Sequence, residues 1–201
     1  MIKIYGLVRS RANRCLWALE EIGVPYELVP IDINKGDNDK PEFLAINPNG
    51  RIPALVDGDL KLFESMAINL YLARKYGKDI WPGTEPGEAH ALQWSFWGAT
   101  EVEPHLITLL YQQLFASPEQ KSPAKVQEAK DALVPRLTVL NDHLNDRPYL
   151  LGTKFTIADL NVAAVLGLAA VVQFDLAPYP KVKQWLDTCY SRPAHLKVRP
   201  T

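Results

Sequence analysis

Cysteine is scarce in this chain, with two in 201 residues. Cys15 and Cys189 lie far apart and lack metal-ligand spacing. Neither a disulfide framework nor a metal site is expected, and a reducing compartment is. An excess of charge of either sign is also missing: 22 Lys and Arg oppose 23 Asp and Glu, for a net charge of -1. That balance argues against a dedicated binder of nucleic acid or of anionic membranes, whose surfaces demand a basic field. Long hydrophobic runs are absent too. The most apolar stretch, Leu160 to Val172, is broken only by Asn161 and is too short to cross a bilayer, so it reads as a buried core helix. No targeting segment is expected ahead of the strand-like Ile2 to Tyr5, which makes a cytoplasmic protein the expectation.

What is present changes character along the chain. Residues 1–76 alternate strand and helix signals. Ile2 to Tyr5 alternates apolar and polar, Gly6 to Ser10 forms a loop, and a helix follows with Cys15, Leu16, Leu19 and Ile22 on one face. Gly23 suits the helix end and Pro25 cannot continue it. Tyr26 to Ile31 reads as a second strand, parallel to the first, and Pro30 confines it to a sheet edge. Asp57-Gly58-Asp59 between two short apolar runs signals a hairpin. Glu64-Ser65 then opens a helix that closes near Gly77, giving the order β-α-β-loop-β-β-α.

Residues 77–87 hold Pro82, Gly83, Pro86 and Gly87 and read as a linker. Residues 88–201 show helical periodicity throughout. Ser122-Pro123 marks a helix start, Pro135 predicts a kink or a break, and Thr156-Ile157-Ala158-Asp159 has the form of a capping box. Glu101 and His105, one helical step apart, predict an ion pair.

Four features of the first half suit the binding of a small acidic thiol peptide. Ile52-Pro53 precedes a strand; the bond is trans in most such pairs, but a cis bond would turn the backbone of Ile52 outward to pair with an extended peptide. Ser65 at a helix start is either a simple cap or part of an anion site, with Glu64 beside it to meet an ammonium group. Ser10 before the first helix is either a cap or a hydroxyl donor to a thiolate, which the helix N-terminus also favours. Arg9, Arg11, Arg14 and Arg51 would add positive potential, although surface arginines often do nothing specific.

Together these residues resemble the cytosolic glutathione transferase family, in its bacterial, serine-type, theta-like or phi-like form. Tyr5-Gly6 with Ser10-Arg11-Ala12-Asn13-Arg14 is similar to the serine-type active-site loop. Asn47-Pro48-x-Gly50-x-Ile52-Pro53 is similar to the cis-proline segment, and Leu62-Phe63-Glu64-Ser65-x-Ala67-Ile68 to the γ-glutamyl site. Leu151-Gly152-x-x-Phe155-Thr156-Ile157-Ala158-Asp159-Leu160 is similar to the capping motif of the C-terminal domain.

The resemblance implies an α/β thioredoxin-like domain over residues 1–76, a linker over 77–87 and an all-α domain over 88–201. It implies conjugation of the glutathione thiolate to small apolar electrophiles, with peroxide reduction as a second activity. Glutathione is then a co-substrate, no metal or organic cofactor is needed, and the protein is a homodimer. Ser10 would donate to the thiolate, with Tyr5 the alternative; Ile52 and Pro53 would meet the cysteinyl part, and Glu64 and Ser65 the γ-glutamyl end. Arg51, Asn38 and Lys40 fall near the glycyl end, Asn38 standing where many relatives carry histidine. Cys15 lies inside the predicted helix and is read as core. Trp97 and Tyr111 are candidates to line the electrophile's site. A glutathione-dependent isomerase of the same family, or an interaction protein that keeps the fold without catalysis, are the alternatives.

Overall fold

Ile2 and Ile4 are buried while Lys3 and Tyr5 between them are half-buried, the two-residue period of a strand with one face against a core. In the computed structural model, which describes residues 1–199, this is strand β1 (Ile2–Tyr5). Helix α1 (Ala12–Ile22) follows, and β2 (Tyr26–Val29) returns parallel to β1. After a short α2 (Pro41–Leu44), strands β3 (Ala54–Asp57) and β4 (Leu60–Phe63) form the hairpin. The sheet has four strands in the order β2-β1-β3-β4, with β3 antiparallel to β1; β2 takes an edge, as expected, but ends at Val29, before Pro30, instead of running to Ile31. Helix α3 (Ser65–Tyr76) completes the thioredoxin-like layer and packs on α1.

Ile4, Leu16, Leu19, Leu55, Ile68 and Leu72 are all buried. Tyr5 points the other way from Ile4. Facing Ala54 across the ladder, it joins a second cluster with Ile31, Phe43, Ile46 and Ile52. Gly23 ends α1 in the left-handed region, as its lack of a Cβ allows.

The chain divides into two compact units, Met1–Gly83 joined by the described residues from Ser191 on, and Thr84–Tyr190. Two differences from the expected domain plan have local causes. The linker ends early, because Thr84 accepts from Gly87 N and Pro86 sits in the first turn of α4 (Glu85–Trp97), where no backbone donor is needed. The expected helical tract over 88–201 also gives up its end. The last helix, α9 (Pro193–Val198), packs on α1 as a strap, with Arg192 in a bidentate pair with Glu21 at 2.7 Å on both oxygens. Lys197 reaches Glu20 at 3.1 Å, the rings of Trp17 and His195 lie 4.6 Å apart, and Asn13 Nδ2 donates to Val198 O at 2.6 Å.

The second unit is helical. It holds α4, α5 (Glu103–Leu110), α6 (Pro123–His143), α7 (Ile157–Val171) and α8 (Pro180–Tyr190), with π-helical turns at Gly98–Val102 and Tyr111–Phe115. The apolar run is α7, buried along most of its length. Its capping box forms, and Asp159 also accepts from Leu150 N at 2.7 Å and Trp185 Nε1 at 3.0 Å. Pro135 does not break α6, which runs through it, and Arg136 Nη1 donates to Ala132 O one turn back. Glu101 pairs with Arg136 of α6 at 2.9 Å instead of His105. No helix among the described residues is long and apolar enough to cross a membrane.

Candidate active site

Gly6 leaves β1 and starts the loop that carries Ser10. A side chain here would put its Cβ 2.6 Å from Ala12 Cβ, so only glycine lets the loop close against α1. The same point lies 3.7 Å from Ser10 Oγ and 3.6 Å from Ile52 Cβ. The serine hydroxyl and the proline segment therefore both flank Gly6, although 42 positions separate Ser10 from Ile52 in the sequence.

Ser10 Oγ donates to Leu7 O at 2.7 Å and accepts from Ala12 N at 3.1 Å. It thus caps the start of α1 while keeping a hydroxyl proton that rotation can redirect. Tyr5 is half-buried with its ring tilted against Phe43 at 6.2 Å, so packing accounts for its body.

The Ile52–Pro53 bond is cis. The turn before it is built by Asn47, whose Nδ2 donates to Arg51 O at 2.6 Å and whose Oδ1 accepts from Asn49 N at 3.1 Å. Asn38 buttresses this turn from outside, donating to Gly50 O at 3.2 Å, while its Oδ1 is buried without a hydrogen-bond partner. Lys40 is turned to Asp37 at 2.6 Å, and that carboxylate raises its pKa. Arg51 is exposed.

Glu64 sits between β4 and α3 at φ 70°, ψ 113°, an arrangement costly for a residue with a side chain. It is Glu64, not Ser65, that occupies the cap position; Ser65 is the first helical residue. The amides of this first turn have no intrahelical acceptor, which makes the junction suited to a carboxylate. Ser65 is buried, and Arg14 Nη1 approaches its Oγ at 3.5 Å. Asn69 Nδ2 donates to Arg14 O at 3.3 Å. The start of α3 is thereby held to the first turns of α1. Of the four arginines, Arg14 is buried in this joint, while Arg9, Arg11 and Arg51 are exposed.

Cys15 is fully buried on α1, its thiol donating to Ser65 O at 3.7 Å, and burial pushes its pKa far up. It is core. In the second unit Trp97 is half-buried edge-on to Trp94, and Tyr111 is exposed with its hydroxyl on Gln120 Oε1.

Sequence reasoning missed one cluster beside this region. Asp57, at the end of β3, accepts from Tyr71 OH and Tyr76 OH at 2.6 Å each and from Lys75 Nζ at 2.8 Å. Burial pushes this carboxyl up, but its three donors outweigh that and hold it at about 2. Only part of the signal was present: Tyr71 and Lys75 are one helical step apart on α3, whereas Tyr76 follows Lys75 directly and projects from a different side of the helix.

Comparison with known proteins places this geometry in a family. Residues 1–74 match the glutathione S-transferase N-terminal domain and residues 102–193 the C-terminal domain. Glutathione S-transferase 3 of Zea mays is 38% identical, over 98% of this chain and 92% of its own. The disulfide-bond oxidoreductase YfcG of Escherichia coli (strain K12) is 35% identical, over 96% of this chain and 92% of its own. A solved structure of glutathione S-transferase-I bound with lactoylglutathione superposes with a TM-score of 0.88 at 36% identity, covering 98% of this chain and 97% of that one. A glutathione transferase from Burkholderia graminis, with two glutathione molecules bound per subunit, gives 0.90 at 29% identity over 98% and 86%. The chain belongs to the glutathione S-transferase family.

Proposed function

We propose that this protein conjugates the glutathione thiolate to small apolar electrophiles, with Ser10 as the group that stabilises the thiolate. The observation that carries the reading is that Ser10 Oγ and the cis Ile52–Pro53 segment both flank Gly6, 3.7 Å and 3.6 Å from the position a Cβ would take there. A cysteinyl residue paired with the Ile52 backbone would bring its sulfur toward the serine hydroxyl at the start of α1. There the hydroxyl turns from Leu7 O to the sulfur. One hydrogen bond to a charged acceptor and the helix N-terminus together contribute about 2–3 kcal/mol, or roughly two pKa units. That suffices to move a thiol near 8.5 to about 7 and to make the thiolate abundant at neutral pH.

The γ-glutamyl end takes Glu64 for its ammonium group and the first turn of α3, with Ser65, for its carboxylate. The glycyl carboxylate lies toward Arg51, with Lys40 and Asn38 at the adjacent turn. In conjugation the thiolate sulfur forms a bond to the electrophilic carbon, which expels its leaving group with the bonding pair. Peroxide reduction is a second use of the same thiolate: two glutathiones become one disulfide as the peroxide becomes an alcohol and water. Glutathione is consumed as a co-substrate, and neither step calls for a metal. A homodimer in the cytoplasm, without nucleic-acid or membrane partners, completes the proposal.

The test is a pH titration of bound glutathione by thiolate absorbance in wild type, Ser10→Ala and Tyr5→Phe. A lowered pKa in wild type that rises only in Ser10→Ala is the expected result. A rise only in Tyr5→Phe would transfer the role to Tyr5. Absence of glutathione binding would leave an interaction protein that keeps the fold.

A further inference from the structure

The strap formed by α9 touches α1 along a single stripe. Asn13, Trp17, Glu20 and Glu21 are spaced at one and two helical turns, so they share a face, and each has a partner in the strap. The contacts differ in kind from end to end. At the C-terminal end of α1 the link is ionic, Arg192 to Glu21, and Glu21 Oε1 also accepts from Trp17 Nε1 at 3.0 Å. At the N-terminal end it is one short neutral bond, from Asn13 Nδ2 to Val198 O at 2.6 Å.

Asn13 is the residue whose backbone N–H closes the turn on Ser10 O, at 3.0 Å. The next amide back, Ala12 N, donates to Ser10 Oγ. The first turn of α1 is capped by no side chain of Arg11, the residue at the cap position. That turn is fixed by Ser10 from before it, by the contacts of Arg14 with Ser65 and Asn69 of α3, and on its other side by Val198, 185 residues away in sequence from Asn13.

We infer that Asn13 is a positioning residue for the thiolate site: its amide hangs the first turn of α1 from the C-terminal strap and so sets where the Ser10 hydroxyl sits. This rests on the proposed role of Ser10. The strap that carries Val198 O serves as an anchor, held by the Arg192–Glu21 pair and by the packing of Trp17 on His195. Loss of the Asn13 bond lets the turn relax and lengthens the reach of the hydroxyl to the sulfur. It touches neither the γ-glutamyl grip nor the Ile52 backbone.

The experiment compares Asn13→Ala with Arg192→Ala. In Asn13→Ala the pKa of the bound glutathione thiol should rise by on the order of half a unit, a fraction of the hydrogen-bond and dipole effect. Affinity for S-methylglutathione, which has no ionisable thiol, should stay within twofold of wild type. Arg192→Ala should lower the melting temperature more than Asn13→Ala does, yet move the thiol pKa less. A thiol pKa that tracks lost stability across both variants, or a parallel loss of S-methylglutathione affinity, would overturn the assignment. Amide exchange in the unliganded protein separates the two layers of argument. Faster exchange at Ala12 and Asn13 in Asn13→Ala is expected whether or not Ser10 meets a thiolate, and unchanged exchange sinks the brace itself. Faster exchange combined with a Ser10→Ala variant of normal thiol pKa would instead remove the role of Ser10 and leave the brace standing.

Discussion

Each of the two units is organised around an aspartate, and the two aspartates solve opposite problems. Asp57 in the first unit ties the β3–β4 hairpin to α3 through Tyr71, Lys75 and Tyr76. Asp159 in the second joins the start of α7 to the loop at Leu150 and to Trp185 of α8. Both carboxylates are crowded with donors. Asp57 has a cation among them, and its pKa falls to about 2 despite the pull of burial. Asp159 has only neutral donors and is fully buried, and burial pushes its pKa up against all of them. Depth of burial decides the direction: the three donors of Asp57 outweigh the desolvation of a partly exposed carboxylate, and those of Asp159 do not outweigh that of a fully buried one. One site is a charge tether, the other a polar keystone in an apolar core.

Breaking the keystone should have the largest effect. Asp159→Ala leaves the Leu150, Thr156 and Trp185 donors unsatisfied in the core and should cost about 4 kcal/mol, read as a shift in the denaturant midpoint. Asp57→Asn keeps its shape but loses the charge that holds Lys75, and should cost about 2 kcal/mol by the same measurement. If the two variants cost the same, the contrast between tether and keystone is wrong.

Acid should sharpen the comparison, because the signs differ. The folded pKa of Asp57 lies below its unfolded value, so its contribution is complete above roughly pH 4 and is lost as the pH falls toward about 2. The folded pKa of Asp159 is raised, so its ionised form weighs against the fold and acid relieves that weight. Between about pH 4 and 2, Asp57→Asn should therefore lose stability less steeply than wild type. The Asp159 effect lies above about pH 4, where acidification should favour wild type and Asp159→Asn should lack that gain. Denaturant midpoints across both ranges check the two signs.

Two ion pairs set the lower end of the scale. Arg192→Ala breaks a bidentate pair with the largely buried Glu21 and should cost about 1 kcal/mol. Lys183→Ala breaks an exposed pair with Asp187 one helical step away and should stay within about 0.5 kcal/mol.

Features that depend on neighbours in the chain were legible in the sequence. Gly23, the Asp57-Gly58-Asp59 turn, the strand alternation and the Thr156–Asp159 box each need only a few residues to specify them. The edge position of β2 followed from Pro30 for the same reason. Features that depend on distant partners were hidden. Nothing near Asp159 announces Leu150 or Trp185, and nothing near Asn13 announces Val198. Pro135 left a kink or a break open, and the break is the one that does not occur, since α6 continues and buries Ala129, Leu133, Leu137 and Leu140 along both sides of it. The pairing of Glu101 with Arg136, 35 positions away, leaves no mark in residue spacing. Of the candidate site, the motifs were readable through their resemblance to a family, yet the physical chemistry of Ile52-Pro53 alone favoured the trans bond that the structure does not have.

Glu64 carries one further consequence. Its left-handed backbone costs on the order of 1–2 kcal/mol relative to glycine. A chain shaped by folding alone would drift to glycine at this position and become more robust. Under the proposed function that drift is opposed only by what the carboxylate gives to a bound ligand. The strain at this residue is therefore a lower limit on how much selection values occupancy of the site over the durability of the empty protein.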